Sequence, residues 1–537
     1  MIQVPMPSLQ RLVTCTRVAL LAVLSLWVVL AFTGVFILSL GTDEAWVLNG
    51  LRSLLHPVVP QLSTELIVTS GGPFALVNIG VEAWLGSSVW AHRMVSLAAM
   101  IGTCTLLLRH WRKTGTRPEL RWLGLAVLIS VPGLAEVGTA ALGTAVGLFL
   151  MISSLVVWCS SSGSAAARAV FGGLLYGLAA ASRFDLVVLG PAVVLVASVR
   201  SDGPKGLRIG IDIPAIVFAA LGVAVFLVNM WIMSLAPVAM ANGDMQNATG
   251  VSGWSLHYTK IVSQWVVLSG FVSPALLAIL VIGGIWAARA NPATEGNARS
   301  GSFEALLVVT GLMLLAAWIL RAPIPHLRYA IPGLFCLAAA GALALQRLAG
   351  GYLESGARLR FLACQCLCLV CAIGSVASLS RSVALSDSDY LSWQWSHEMA
   401  HDYFQRFESE ADQRRVAAFI RDRMDAQARL YSMLPYALRY MTSRPVVDIL
   451  LLDSQASTSQ VRYDKRYIVL TPMIGTYLYL RPESAIWIEQ NTRLIMQFGR
   501  YSIYELGAGT DRDLLNIQVD RNMYRGHPES HPWFGRG

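Results

Sequence analysis

Apolar runs of eighteen or more residues recur along the first 380 positions, separated by short polar stretches. Each run is long enough to cross a bilayer as a helix. The pattern predicts eleven membrane helices, near 18–40, 90–109, 121–136, 139–159, 168–182, 186–200, 209–233, 263–288, 303–320, 327–346 and 359–380. The first run is too long for a signal-peptide core and ends in no small-residue cleavage site, so it reads as a retained helix. Two connecting segments stand apart from the short loops. Residues 41–89 are too polar to span, yet Ala45–Leu55 and Phe74–Leu85 have the pattern of amphipathic helices lying at the interface. Residues 234–262 form a second long loop with Asp244, His257 and Lys260, and its Asn247-Ala-Thr249 fits a glycosylation sequon by pattern only.

Beyond about residue 380 the pattern turns soluble. Residues 409–428 read as a capped amphipathic helix starting at Ser409. Pro445–Leu452 and Arg466–Leu470 are β-branched, apolar runs suited to buried strands. Alternation of such runs with helices indicates a small α/β domain. The expected architecture is therefore a polytopic α-helical membrane module over 1–380 and an α/β domain over 381–537. No internal repeat of fixed period is visible.

Composition agrees with a lipid environment. The 537 residues are 55% hydrophobic and only 14% charged, against about 25% charged in an ordinary soluble domain; mean hydropathy is +0.56. The net charge of +9 does not indicate nucleic acid, because from Arg381 onward nineteen basic and nineteen acidic residues cancel. The whole excess lies in the membrane part, where it reports orientation. With the N-terminus inside, the predicted cytoplasmic segments hold sixteen Lys and Arg and the outer loops of the membrane part six. The positive-inside rule thus places the N-terminus in the cytoplasm and the C-terminal domain outside, in a multi-pass protein of the cytoplasmic membrane. The eight cysteines all lie in or beside apolar segments. Cys364, Cys368 and Cys371 share a helix face, but no nearby His or acid completes a metal site. They read as small polarizable helix residues.

Charged groups beside membrane helices are costly and need a reason. Most of those expected on the outer side sit at helix ends: Asp43, Glu44, Glu65, Glu82, Arg93, Glu136, Arg183, Asp185, Arg321 and Arg328. Each alone reads as an interfacial anchor; as a set they suit one shared cavity. Asp43-Glu44 is the sharpest signal, three residues after the first span and directly before AWVLNGLRSLL. A helix N-cap explains an acid here. A general base held at the membrane surface explains the acid and the amphipathic helix together.

At this point the sequence resembles a family. GTDEAWVLNGLRSLL is similar to the acidic motif in the first outer loop of the GT-C glycosyltransferases, in the branch of protein O-mannosyltransferases and lipid A aminoarabinose transferases. GGPFALVNIGVEAWLGSSVWAHRMVSLAAMIGTCTLLLR resembles the next part of that pattern, with a Pro-led interfacial helix and a Trp-Ala-x-Arg helix entry. GGLLYGLAAASRFDLVVLGPAVVL and PHLRYAIPGLFCLAAAGALAL resemble later helices, and RRVAAFIRDRM…PVVDIL resembles the outer soluble domain of many members. The four membrane matches run in order over about 300 residues. The resemblance implies an inverting transfer of a sugar from a polyprenyl-phosphate carrier to a protein, lipid or polysaccharide acceptor outside the membrane. By motif position Asp43 is the implied base and Glu44 its neighbour. Arg93, Arg183 and Arg328 are the implied holders of the carrier phosphate, with Lys260, Arg321 and His326 behind them. Arginine suits that role because its planar, permanently charged fork pairs with phosphate oxygens.

The sequence departs from the family where many members carry a second acid at the start of the fourth helix. Here the stretch reads EVGTAALGTAVGLF, so Glu136 fills the role from a few residues earlier or the role is absent. Asp43, Glu44 and Glu136 offer oxygen ligands for Mg or Mn, but no essential metal and no organic cofactor is expected. Two other readings stay open: a transporter or flippase of lipid-linked saccharides, and a non-catalytic relative that binds envelope components. Transporters favour repeats and polar or broken helices at mid-membrane, and neither a repeat nor a strong midplane charge is evident.

Overall fold

The computed structural model describes residues 6–37, 42–55, 72–86, 88–131, 134–201, 207–235, 298–321, 330–384, 410–432, 435–449, 461–470, 479–480, 482–499, 501–517 and 519–520. The chain folds as two compact units. One comprises Met1–Phe36 and Leu66–Arg381; the other joins Ile37–Glu65 to Ser382–Gly537.

The first unit is helical: α1 (Met6–Ile37); then, after α2 (Thr42–Leu55) of the other unit, α3 (Gly72–Leu85), α4 (Val89–Lys113), α5 (Pro118–Ile129), α6 (Leu134–Thr139), α7 (Gly143–Trp158) and α8 (Ala165–Ser182). A 3-10 turn (Phe184–Val188) leads into α9 (Leu189–Ser198), a hairpin of β1 (Val199–Ser201) and β2 (Leu207–Ile209), and α10 (Ile213–Leu235). The unit closes with α11 (Ala298–Arg321), α12 (Ile331–Glu354) and α13 (Arg358–Ala384). Among the described residues six helices are long and apolar enough to span a membrane, and shorter apolar helices cover Gly143–Trp158, Phe184–Ser198 and Phe303–Ala317. The protein is a multi-pass membrane protein. Each expected span has a helix at its place except 263–288, which lies outside the described residues.

Local chemistry sets several of these starts. Pro118 opens α5 with Glu119 in the first turn, where a missing N–H is harmless and a carboxylate meets the positive helix end. Ser164 caps α8 by accepting the Ala167 N–H at 3.1 Å. α8 then packs against both α7 and α10. A Cβ at Gly177 would stand 2.7 Å from the Gly222 carbonyl oxygen, so the α8–α10 approach needs glycine there, as close membrane helix pairs do. One boundary differs from expectation. The helix predicted over 121–136 stops at Ile129, and α6 follows as a separate short helix. Pro132 is the cause, because proline supplies no N–H and pushes the preceding residue out of helical geometry.

The second unit contains α2, α14 (Glu410–Arg423), β3 (Arg429–Ser432), α15 (Pro435–Thr442), β4 (Val446–Asp448), β5 (Arg466–Leu470), β6 (Tyr479–Leu480), α16 (Pro482–Asn491), β7 (Thr492–Phe498), β8 (Tyr501–Leu506) and β9 (Val519–Asp520). Its main sheet has the order β4-β3-β5-β8-β7, with β3 parallel to β4 and β5 and the last two strands antiparallel. Alternation sends Leu430, Val446 and Val469 into one core with Ile420 of α14, and Tyr431, Val447 and Ile468 into a core on the other face. Both faces are covered, which is why β4 and β5 read as continuous apolar runs in the sequence. The α/β domain expected from the sequence is present. A charged network locks the strand starts: Asp511 accepts from Arg429 at 2.8 Å and from the Tyr431 hydroxyl at 2.5 Å, and Arg466 donates to Asp513 at 2.8 Å. Burial, followed by the neighbouring Asp511 carboxylate, pushes the Tyr431 hydroxyl well above its ordinary range.

Candidate active site

In the membrane unit Arg93 and Arg183 sit at one end of the helices. Arg93 lies in the first turns of α4 and is 1% exposed, and its guanidinium donates to the Val35 carbonyl near the end of α1 at 3.3 Å. Arg183 follows α8 directly in extended backbone. Its Nε lies 2.8 Å from both Asp185 oxygens, and its Nη1 donates to the Thr144 hydroxyl. Ser96 of α4 donates to the Leu142 carbonyl at 3.4 Å. The start of α7 is therefore held by α4 on one side and by Arg183 on the other. Leu142, its N-cap, makes no side-chain capping hydrogen bond. The neighbouring Ser182 hydroxyl is fully buried and has no hydrogen-bond partner among the described residues. α6, which bears Glu136, immediately precedes α7 and packs on α4.

A second buried group fastens this end. His92 Nδ1 donates to the Asn78 side-chain oxygen at 2.8 Å, and His92 Nε2 lies 2.9 Å from Glu82 Oε2. Asn78 is oriented by its own Nδ2, which donates to the Phe74 carbonyl at 2.9 Å. With the amide so oriented, its oxygen faces His92 and favours the tautomer that carries the proton on Nδ1. The trio joins α3 to α4. At the start of α3, Gly72 has φ +55, and a Cβ there would meet the Ala181 Cβ at 2.8 Å, so glycine lets α3 begin directly against the end of α8.

In the other unit, Asp43 and Glu44 fall in the first turn of α2, where the helix dipole favours carboxylates. Glu44 is buried, as are Ala45, Val47, Leu48 and Leu51. α2 packs on α15. Asn49 Nδ2 donates to the Tyr436 carbonyl at 2.7 Å and Arg52 Nη1 to the Tyr440 carbonyl at 3.0 Å. Arg321 is the last residue of α11; Arg328, His326 and Lys260 lie outside the described residues.

The structure thus brings Arg93, Arg183 and the helix carrying Glu136 to one end of the membrane unit. Sequence reasoning passed over His92, Asn78, Thr144, Ser182, Asn49 and Arg52. The signal for Asn78 and Glu82 was present, since they stand four residues apart on an otherwise apolar helix and so share a face. Among the described residues no group of three or more His, Cys, Asp or Glu side chains is placed to hold a metal ion.

The chain matches no protein-family model and no curated protein. Solved structures do resemble it. ArnT from Cupriavidus metallidurans in the apo state superposes with a TM-score of 0.57 at 15% identity, covering 90% of this chain and 97% of that one. The same protein bound to undecaprenyl phosphate gives 0.57 at 15% identity, over 91% and 97%. AglB, the oligosaccharyltransferase of Archaeoglobus fulgidus, in complex with an inhibitory peptide and a dolichol-phosphate, gives 0.46 at 11% identity, over 84% and 69%. The chain has the fold of ArnT, the GT-C-like polytopic membrane architecture to which its sequence resemblance pointed.

Proposed function

We propose that this protein transfers a sugar from a polyprenyl-phosphate carrier to a hydroxyl acceptor on the outer side of the membrane, with inversion at the anomeric carbon. The observation that carries the reading is the ArnT fold over 90% of the chain, in a sequence that keeps an acid pair directly after its first membrane helix. The solved ArnT structure bound to undecaprenyl phosphate supports a lipid-linked donor.

In this reading Asp43 takes the acceptor hydroxyl proton as that oxygen attacks the anomeric carbon. The bond from that carbon to the phosphate oxygen breaks, and polyprenyl phosphate leaves with the electron pair. Arg93, Arg183 and Arg328 hold the phosphate and stabilise the charge that grows on it. Arg183 is tethered on its Nε side by Asp185 and at Nη1 by Thr144, a preorganised mount for a phosphate partner. Glu136 is the second acid, and Lys260, Arg321 and His326 are secondary cations. A nucleotide sugar is not the donor in this reading, because such donors are made in the cytoplasm and the acids and arginines are assigned to the opposite side.

The test offers purified protein in nanodiscs radiolabelled polyprenyl-phosphate sugars and, separately, nucleotide sugars. Envelope extract from cells lacking the gene serves as acceptor. Transfer from the lipid-linked donors is expected. Transfer from nucleotide sugars alone, with no lipid intermediate, overturns the proposal.

A further inference from the structure

The helix that carries Asp43 and Glu44 belongs by sequence to the first loop of the membrane module, yet it folds as part of the C-terminal α/β unit. Ala45, Asn49 and Arg52 recur at the spacing of one helix face, and their polar members reach α15. Asn49 is 3% exposed, so its amide needs partners. It donates to Ala45 O within α2 at 2.9 Å and across to Tyr436 O at 2.7 Å. Arg52 donates to Tyr440 O at 3.0 Å, and its guanidinium carbon lies 5.6 Å from the centre of the Tyr440 ring.

The Tyr440 acceptor is suited to a cation. The last four carbonyls of a helix have no partner within it, and the helix end there is partially negative. In α15 the Tyr440 carbonyl is met by Arg52 of α2 and the Met441 carbonyl by Arg421 of α14. α15 is itself tied to the sheet, because Arg439 Nε donates to the Val446 carbonyl of β4 at 2.6 Å. Just beyond α15, Arg444 spans the end of α14, donating to Ile420 O at 3.0 Å and Asp425 O at 2.6 Å. A continuous set of hydrogen bonds therefore runs from the sheet through α15 to α2. Asn49 stands six residues from Asp43 on the same helix, about 9 Å along its axis.

We infer that α15 is the dock that sets the position of the Asp43 helix, and that Asn49 and Arg52 are positioning residues for sugar transfer. The inference rests on the proposed role of Asp43. The α/β domain then does more than decorate the membrane module: it fixes where the base stands relative to the attacking hydroxyl. Misplacing a catalytic group by about 1 Å costs on the order of 10²-fold in rate.

The experiment uses the full chain in nanodiscs, with radiolabelled undecaprenyl-phosphoryl hexoses as the donor probe and the same envelope extract as acceptor. Asn49→Ala combined with Arg52→Ala is compared with Arg52→Lys, which keeps a donor for the Tyr440 carbonyl. Hydrogen exchange over residues 42–55 and 466–470 is followed in each. The double variant is expected to raise exchange in α2 at least tenfold while β5 stays protected. Its kcat is expected to fall by about 10- to 100-fold, with donor KM within about twofold, and Arg52→Lys is expected to recover most of the rate. Raised exchange in α2 with unchanged kcat overturns the positioning role. A fall in kcat without raised exchange in α2 overturns the dock. If the double variant also loses protection in β5, Arg52→Ala alone against Arg52→Lys decides by the same criteria. Asp43→Asn in the same assay separates the two ideas: full activity there defeats the base, while the exchange data still report the dock.

Discussion

Asp43 follows the first membrane helix by only a few residues and opens α2 together with Glu44. A helix start accounts for an acid at this position, so the substitution that separates start from base is Asp43→Asn. Asparagine serves a helix N-terminus about as well as aspartate but cannot accept the proton. Transfer should fall by on the order of 10²- to 10⁴-fold, the usual contribution of a positioned acid or base, while thermal stability in detergent stays at the wild-type value. Near-normal turnover would leave Asp43 as a helix-start residue and nothing more. This acid pair was legible in the sequence because charge directly beside a membrane span demands an explanation. Arg93 and Arg183 were legible for the same reason. The groups that orient them were not. Thr144 is an unremarkable hydroxyl until Arg183 reaches it from 39 positions away, and Asn49 finds its acceptor 387 positions along the chain. Periodicity reports which face a residue occupies and is silent on which distant backbone atom that face meets.

Element by element, the membrane helices were readable because lipid leaves a segment few alternatives to an apolar helix of sufficient length. The errors fall where a local residue overrides the apolar pattern, as at Pro132. The strand expected over Pro445–Leu452 is β4, Val446–Asp448, within a sheet whose pairing no single run could disclose. The joint between α3 and α4 was only half legible: Asn78 and Glu82 share a helix face, but nothing in the sequence tells that His92 of α4 meets it. His92→Ala takes a partner from both Asn78 and Glu82 in a buried setting, a loss of about 1–3 kcal/mol for each group so deprived. Glu82→Gln is expected to be far milder. With the proton fixed on Nδ1 by Asn78, Nε2 accepts, and the Gln amide can donate to it. Thermal unfolding in detergent and hydrogen exchange over residues 72–85 measure both variants. Equal damage from the two would show that the Gln amide cannot replace the Glu82 carboxyl at Nε2, against the expected rescue.

At the scale of the whole molecule, the two ends of the membrane unit differ in kind. α4 is 25 residues long, about 37 Å at ~1.5 Å per residue, enough to cross a hydrocarbon core of about 30 Å. It begins beside buried Arg93 and ends in His110, Arg112 and Lys113. Around that second end the charges form ion pairs: two at the surface, Arg17 with Glu119 at 3.5 Å and Arg117 with Glu354 at 3.2 Å, and one to a buried acid, Arg347 with Glu304 at 2.7 Å. The two exposed pairs add little stability, but the surplus of Lys and Arg in the predicted inner segments, sixteen against six in the outer loops, is the feature that membrane insertion reads. The Lys113 end should therefore face the cytoplasm, and the Arg93 end, with the α/β domain that follows α13, should face outward. A reporter enzyme that works only outside the cytoplasm should be silent when fused near Gly115 and active when fused after Asp387. The proposed chemistry requires the same result, because a lipid carrier flipped across the membrane would present its sugar on the outer side, where Asp43 would have to stand. Activity in both fusions, or the reversed pattern, would overturn the orientation and remove Asp43 from the side on which the proposed donor is presented.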